Sequence, residues 1–113
     1  MSDFVIVGAG VIGMMLAREL IQAGATVSLV DRSACAQEAT WAGGGIVSPL
    51  YPWRYSDPVT QLATWSQSSY LHLSQDLIEE TGCDPELRQK GMYMVGVEDE
   101  QAALSWAAQF NRP

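Results

Sequence analysis

The chain has 113 residues, of which 48% are hydrophobic and 17% are charged, and its formal net charge is -7. This composition allows one ordinary hydrophobic core and excludes a disordered protein. The acidic balance, with only 6 Lys and Arg residues, argues against a surface that binds nucleic acid or an anionic membrane.

Two cysteines, Cys35 and Cys83, lie far apart and in no metal-binding spacing. We interpret them as a reduced pair, and we predict no metal site. The first apolar run is only one strand long and follows no basic segment. We therefore expect neither a signal peptide nor a membrane-spanning helix, and we expect a cytoplasmic protein.

The first predicted elements are a strand, a helix and a second strand. Residues 4–7 are β-branched or aromatic and end at Gly8, which is typical of a buried parallel strand. A helical pattern covers residues 11–23 and stops before Gly24, and residues 26–30 predict the next strand. Together they predict a β-α-β unit, and the fold class is therefore α/β.

Regular patterning stops over residues 33–55, where three consecutive glycines and two prolines occur. So long an irregular segment in a compact domain is usually functional. Asp57 and Pro58 then predict a cap and a first-turn proline, and an apolar stripe at helical spacing continues to Gly82. Residues 92–97 predict a further strand, and residues 103–110 predict a last helix.

The motif Gly8-x-Gly10-x-x-Gly13 lies between the first strand and the first helix. In a dinucleotide site these glycines permit the tight turn, the approach of the pyrophosphate and close packing of helix on strand. Asp31, at the end of the second strand, could accept hydrogen bonds from both ribose hydroxyls and would repel a 2'-phosphate. The alternatives are a purely structural turn and an ordinary solvated aspartate.

A second glycine cluster, Gly43 to Gly45, suggests a ligand that continues past the pyrophosphate and meets main chain again at its far end. FAD is long enough for this, and the polar edge of its isoalloxazine ring suits backbone N–H donors. A flexible hinge is the alternative, although Trp41, Ile46 and Val47 make the segment more apolar than a free linker.

Three stretches carry a family resemblance: VIVGAGVIGMMLARELIQAGATVSLVDR, ATWAGGGIVSPLYPWRY and EETGCDPELRQKGMYMVGV. They resemble the amino-terminal part of the bacterial glycine oxidases, the thiamine-pathway branch of the D-amino-acid oxidase family of flavoproteins. The resemblance runs through nearly the whole chain, and it is more specific in the glycine-rich loop than in the first motif.

Family members are considerably longer, so we expect this chain to be an amino-terminal fragment. Residues 1–90 are then the amino-terminal portion of a Rossmann-like FAD-binding domain, and residues 91–113 are the start of a substrate domain with its first strand. Two parallel strands and one helix cannot cover both faces of a sheet. We therefore expect the isolated chain to be poorly folded or prone to aggregation.

The resemblance implies a non-covalent FAD. Within this sequence it places the pyrophosphate at Val11 and Ile12, the adenosine ribose at Asp31 and Arg32, and the phosphate-ribityl region at Ala39 and Thr40. Asp31 stands where the family more usually has Glu. With the motif glycines and the isoalloxazine segment, the implied FAD-binding positions are Gly8, Gly10, Val11, Ile12, Gly13, Asp31, Arg32, Ala39, Thr40, Gly44, Gly45 and Ile46.

The resemblance also implies the reaction of the full-length enzyme. It is oxidative deamination of glycine or another small amino acid or amine to a keto acid, with ammonia and hydrogen peroxide as the other products. The family's substrate-binding Arg and Tyr belong to the carboxyl-terminal part, so no catalytic residue is assigned here and the chain alone is expected to be inactive. The resemblance further suggests a homotetramer. The alternatives are a D-amino-acid dehydrogenase that uses another electron acceptor and a non-catalytic nucleotide-binding module.

Other side chains receive simpler interpretations. His72, the only histidine, is predicted to be a surface or half-buried helical residue rather than a catalytic base. The aromatic residues of the loop could line the flavin's surroundings or pack the loop against the following helix, and both interpretations stay open for Trp41, Tyr51, Trp53 and Tyr55.

Overall fold

A computed structural model describes residues 1–112 of the chain. The chain divides into two compact units, Met1–Ile46 and a second unit that begins at Val47. The first unit holds a small parallel sheet and two helices, and the second unit holds two helices and one 3-10 turn. The predicted domain division at residue 90 concerns the complete enzyme and stays a prediction.

The first unit contains the predicted β-α-β arrangement. Strand β1 (Phe4–Val7) is followed by helix α1 (Val11–Gln22) and strand β2 (Val27–Val30). The strands pair in parallel, with Phe4 opposite Val27 and Val7 opposite Val30. The α/β fold class and the β-α-β unit are therefore confirmed.

Strand β2 begins one residue later than predicted, because Thr26 is engaged with Asp3. The Thr26 N–H and hydroxyl both donate to Asp3 Oδ2, at 2.8 and 2.6 Å, and the Asp3 N–H donates to the Thr26 carbonyl at 2.9 Å. These hydrogen bonds lower the pKa of the Asp3 carboxyl, with the Thr26 side chain as the main cause. This reciprocal pair fixes the register at the open end of the sheet.

Residues 33–55, which were predicted to be irregular, contain two short elements. Helix α2 (Ala39–Ala42) precedes the glycine cluster, and a 3-10 turn (Pro52–Arg54) follows it. Tyr51 stands before that turn in the left-handed region, with φ 51°. Both elements are too short to produce a readable hydrophobic period, which is why the pattern did not predict them.

Helix α3 (Asp57–Thr81) is the longest element of the second unit. Its N-cap is Ser56 rather than the predicted Asp57, and Pro58 lies in the first turn as expected. Gly82 ends the helix with φ 72°, and its N–H donates to the Ile78 carbonyl at 2.8 Å. Helix α4 (Glu100–Gln109) follows, with Asp99 at its N-cap.

The strand predicted over residues 92–97 is not formed in the described part of the chain. A strand requires a partner for its backbone groups, and no described segment pairs with this one. Tyr93 and Val95 are 100% and 92% exposed, and Gly91 and Gly96 adopt positive φ at either end. The predicted strand over residues 92–97 is therefore wrong for the described chain, whereas the assignment of residues 91–113 to the start of a substrate domain stays a prediction.

Little of the described chain is deeply buried. The buried residues are Ala9, Ala17 and Thr60, and no large side chain among the described residues is fully enclosed. Strand β1 was predicted to be buried, but Val7 is 85% exposed, because within the described residues the helix that packs closely on the two strands is α1. A parallel strand is buried only when helices cover both faces of its sheet. Within residues 1–112, no helix is long and apolar enough to cross a membrane.

Candidate functional site

The first glycine loop joins β1 to α1 through backbone geometry that requires glycine at two positions. Gly8 has φ 108°, and its N–H donates to the Val30 carbonyl at 2.7 Å, which binds the loop to the end of β2. A Cβ at Gly13 would lie 1.9 Å from the Gly8 carbonyl oxygen. The absence of a side chain at Gly13 therefore allows the first turn of α1 to pack directly against the turn at Gly8.

The loop leaves the amino-terminal end of α1 suited to an anion. Gly10 is the N-cap and has no side chain with which to cap the helix. The N–H groups of Ile12 and Gly13 have no acceptor within the helix, because they belong to its first turn. The helix dipole adds partial positive charge at this point, as in dinucleotide sites.

Thr40 connects the second glycine segment to this helix end. The Val11 N–H donates to Thr40 Oγ1 at 2.9 Å, so a residue 29 positions away caps α1. Thr40 Oγ1 would also lie 3.2 Å from a Cβ at Gly10. Because Gly43 follows Thr40 by one helical turn, the second glycine segment begins beside the first. Periodicity gave no signal for this contact.

Gly44 and Gly45 continue from helix α2 in an open backbone. Gly45 has φ 70°, which favours glycine, whereas Gly44 does not have a positive φ. A Cβ at Gly44 would meet no heavy atom of the described chain within 4 Å. The described chain thus supplies no steric reason for glycine at this position, and a bare backbone there leaves room for a ligand.

Asp31 binds the glycine loop as well as standing at the predicted ribose position. Its Oδ2 accepts the Ala9 N–H at 2.6 Å, and its Oδ1 accepts the Ser33 N–H at 2.8 Å. These two backbone donors, Ala9 first, lower the pKa of the Asp31 carboxyl, so the group is ionised at neutral pH. Oδ1 also accepts the Ser33 hydroxyl at 3.2 Å, whereas Oδ2 keeps a lone pair for a further donor. The sequence did not reveal the bond to Ala9.

A groove lies at the carboxyl ends of the two strands, where α/β proteins bind their ligands. This strand-end groove has a volume of about 480 Å³, which is within the range of small-molecule sites. Its lining residues are Val7, Gly8, Val30, Asp31, Arg32 and Glu38. Arg32 is 81% exposed and forms an ion pair with Glu38, Nη2 to Oε2, at 2.9 Å.

A side-chain cluster in the second unit was not predicted. Asp99 accepts hydrogen bonds from Trp53 Nε1 at 2.8 Å and from Arg54 Nε and Nη2 at 2.8 and 2.9 Å. The Arg54 guanidinium lies over the Tyr51 ring, 4.5 Å from its centroid. Arg54 and then Trp53 hold the pKa of the Asp99 carboxyl far below its ordinary value. Trp53 therefore packs the loop against the start of α4, whereas a role beside the flavin stays a prediction.

The remaining reactive side chains lie on the surface. His72 is 81% exposed on α3, where its Nδ1 lies 3.0 Å from Asp76 Oδ1, so the predicted surface position is confirmed. Cys35 and Cys83 are exposed free thiols. The geometry of these three residues points to no role in catalysis.

Comparison with known proteins decides the family of this chain. Residues 3–113 match the family model described as FAD dependent oxidoreductase. The chain belongs to this family of FAD-dependent oxidoreductases. Its FAD-binding fold and its cofactor class are those of the family, and the sequence prediction of a flavoprotein is confirmed.

Individual relatives of this FAD-dependent oxidoreductase are glycine oxidases. The chain is 57% identical over 109 residues to the glycine oxidase of Pseudomonas aeruginosa and 50% identical over 112 residues to that of Pseudomonas putida. These alignments cover 96% and 99% of the chain but 30% and 31% of the relatives. A crystal structure of glycine oxidase from Bacillus cereus matches 98% of the chain and 30% of its own, with a TM-score of 0.80 at 30% identity. The chain thus spans about a third of the length of these relatives.

The residues of the first unit fit an FAD. The Gly13 position excludes a side chain, the start of α1 offers N–H donors, and the strand-end groove has room for an adenosine. All the predicted FAD-binding positions lie within residues 1–46, and each of them stays a prediction as a contact.

Proposed function

We propose that the full-length enzyme carrying this chain is an amino-acid oxidase of the glycine oxidase type. It oxidises glycine or another small amino acid or amine to the imine, which water hydrolyses to the keto acid and ammonia, and it reduces O2 to hydrogen peroxide. The observation that supports this most directly is the Val11–Thr40 hydrogen bond, because it joins the two glycine segments that a long dinucleotide would span. The glycine oxidase relatives favour the substrate class.

In this proposal the chain binds and orients the cofactor. The first turn of α1, including Val11 and Ile12, faces the pyrophosphate, where N–H donors and the helix dipole favour an anion. Asp31 accepts hydrogen bonds from the adenosine ribose while its bonds to Ala9 and Ser33 keep it oriented. Ionised Asp31 requires no proton transfer on binding at neutral pH.

The second glycine segment serves the other end of the cofactor. Ala39 and Thr40 lie toward the phosphate-ribityl region, and Thr40 can donate its hydroxyl hydrogen while its oxygen accepts the Val11 N–H. Gly44, Gly45 and Ile46 present backbone to the isoalloxazine. A bound FAD would supply the redox chemistry, which is the transfer of two electrons from the amine carbon to O2. The residues that hold the substrate are proposed to lie outside this chain.

Cofactor and acceptor are tested together on the purified full-length protein. We expect a yellow protein that releases FAD on denaturation and produces hydrogen peroxide when glycine or D-alanine is added. Reduction of an added dye or quinone without peroxide would favour the dehydrogenase alternative. A colourless protein that binds NAD instead of FAD would overturn the proposal.

Thr40 variants test the link between the two glycine segments. Thr40→Val keeps the shape but removes the acceptor of the Val11 N–H, and loss of such a cap costs about 0.5–2 kcal/mol. We expect the Kd for FAD of the apoenzyme to rise by at most about 30-fold, the limit in which the whole cost falls on the FAD-bound state, as measured by quenching of flavin fluorescence on binding. Thr40→Ser keeps the oxygen and is the matched control. Equal affinities of the two variants would remove the Thr40 contact from the proposal.

A further inference from the structure

Glu38 is a charged residue of the strand-end groove that takes no part in the proposed FAD contacts. It immediately precedes α2, which carries Thr40, and its side chain reaches Arg32 at 2.9 Å. Glu38 therefore lies between α2, which carries Thr40 at the proposed phosphate end of the site, and Arg32, which follows strand β2. Sequence patterning gave no reason to select it, because the ion pair depends on how residues 32–38 turn back.

The charges along the groove have a definite balance. Two acids, Asp31 and Glu38, and one base, Arg32, leave a net charge of -1. An arginine beside the end of β2 is the side chain that accommodates a 2'-phosphate in NADP-binding proteins. Here the Arg32 guanidinium is paired with Glu38, so its charge is opposed by a carboxylate 2.9 Å away. The groove therefore favours the neutral hydroxyl donors of an unmodified ribose.

We propose that Glu38 is a specificity-determining residue for the adenosine end of the cofactor. By neutralising Arg32, it keeps the groove selective for adenine nucleotides without a phosphate on the 2'-hydroxyl. This inference rests on the proposed function, in which the strand-end groove receives the adenosine of FAD. It assigns the rejection of 2'-phosphorylated nucleotides to Glu38 as well as to Asp31.

The effect should appear in selectivity rather than in stability. Both partners are largely exposed, Arg32 at 81% and Glu38 at 57%, and exposed ion pairs contribute little to folding. Removing the Glu38 carboxylate changes the electrostatic interaction between the groove and a ligand phosphate that is bound there. Screening acts over about 10 Å at 0.1 M salt, so low ionic strength makes the effect largest.

The experiment uses apoenzyme of the full-length protein and two probes, AMP and adenosine 2',5'-bisphosphate. Their Kd values are measured by competition with FAD, and the ratio of the two is compared between variants. Glu38→Gln is expected to lower the ratio of bisphosphate Kd to AMP Kd about two- to fivefold at low salt, and less at high salt. Arg32→Gln is expected to raise the ratio, and the double variant to return it toward the wild-type value.

The matched control is Glu19→Gln, which removes a carboxylate from another exposed ion pair of the same unit. Glu19 pairs with Arg18 at 2.9 Å on α1 and does not line the groove. It should leave the ratio unchanged. If Glu38→Gln lowers or raises both affinities by the same factor, the inference is wrong although the site still binds adenosine.

Failure of the proposed function gives a different result. Wild-type apoenzyme would then bind neither FAD nor AMP, whatever the ratio in the variants. If Glu38→Gln does not fold, Arg32→Gln carries the test alone, and an unchanged ratio in that variant overturns the inference.

Discussion

The two compact units are held by different kinds of interaction. In Met1–Ile46 the glycine loop is fixed by main-chain geometry, with the Gly8 N–H on the Val30 carbonyl and no room for a side chain at Gly13. In the unit that begins at Val47, the 3-10 turn is fixed to α4 by side chains that converge on Asp99. The first arrangement depends on glycines whose neighbouring N–H groups are accepted by Asp31 and Thr40, and the second depends on large polar side chains that bond to one another.

This difference explains where the candidate site lies. A cofactor with a pyrophosphate requires backbone N–H donors at close range, and only a glycine-rich turn exposes them without steric hindrance. The Asp99 cluster of the second unit uses its charges internally, because Arg54 and Trp53 already occupy the carboxylate. The first unit is therefore built to receive a ligand, and the second unit is built to hold a loop.

The largest expected effect concerns both units, since neither has a developed core. The isolated chain of 113 residues should show no cooperative thermal transition and should bind a hydrophobic dye, because large apolar side chains such as Val7 and Trp65 are exposed. Calorimetry and dye fluorescence measure this, with the full-length protein as the control. A cooperative melt at high temperature would show that the units are more stable in isolation than the exposure of their apolar side chains indicates.

The second prediction tests the backbone-controlled unit at Gly13. Helix propensity alone predicts that Gly13→Ala stabilises α1 by about 1 kcal/mol. The structure predicts the opposite sign, because the new Cβ would lie 1.9 Å from the Gly8 carbonyl oxygen. We expect full-length Gly13→Ala to be insoluble or isolated without flavin, as measured by the ratio of flavin to protein absorbance.

Gly43→Ala is the control for that variant. A Cβ at Gly43 would meet its nearest atom, the Thr40 carbonyl oxygen, at 3.4 Å, which is an ordinary contact. This variant should retain its flavin. Normal flavin content in Gly13→Ala would mean that the loop can relax, and the contrast between backbone-held and side-chain-held units would weaken.

The same contrast determines what the sequence could predict. Gly8, Gly10 and Gly13 act through a short local pattern, and Asp31 follows a readable strand, so the β-α-β unit could be predicted from the sequence, and with it the candidate site that stays a prediction. Contacts such as Val11–Thr40 and Arg54–Asp99 join residues 29 and 45 positions apart. No local period encodes such pairs, because they depend on how the irregular segment folds back.

The strand predicted over residues 92–97 shows the complementary error. Its continuous apolar run satisfies the local pattern, but a strand exists only when a neighbour supplies hydrogen bonds, and no described segment does so. The N-cap of α3 is Ser56, whereas the sequence predicted Asp57, a difference of one residue. Both residue types favour caps, and helix boundaries are less readable than helix existence.

The smallest expected effect concerns the Asp99 cluster, because its groups are only partly buried and solvent screens its charges. Asp99→Asn loses the charge-assisted bonds to Arg54 and should lower the melting temperature of the full-length protein by a few degrees at most. Glu100→Gln removes a charge from the same helix end without touching Arg54 and should have less effect. Equal shifts in the two variants would mean that general charge, rather than the cluster, matters.

Acid titration tests whether the ionised carboxylate of Asp99 is the group that stabilises the cluster. The pKa of Asp99 is lowered in the folded protein, so its stabilisation is fully present above the pKa of an unfolded aspartate, about 3.9. That stabilisation is lost as the pH falls from this value toward the lower folded pKa. We therefore expect the melting temperatures of wild type and Asp99→Asn to converge below about pH 4, whereas they differ at pH 7. A difference that stays constant down to pH 2 would show that the ionised carboxylate is not what binds the 3-10 turn to α4.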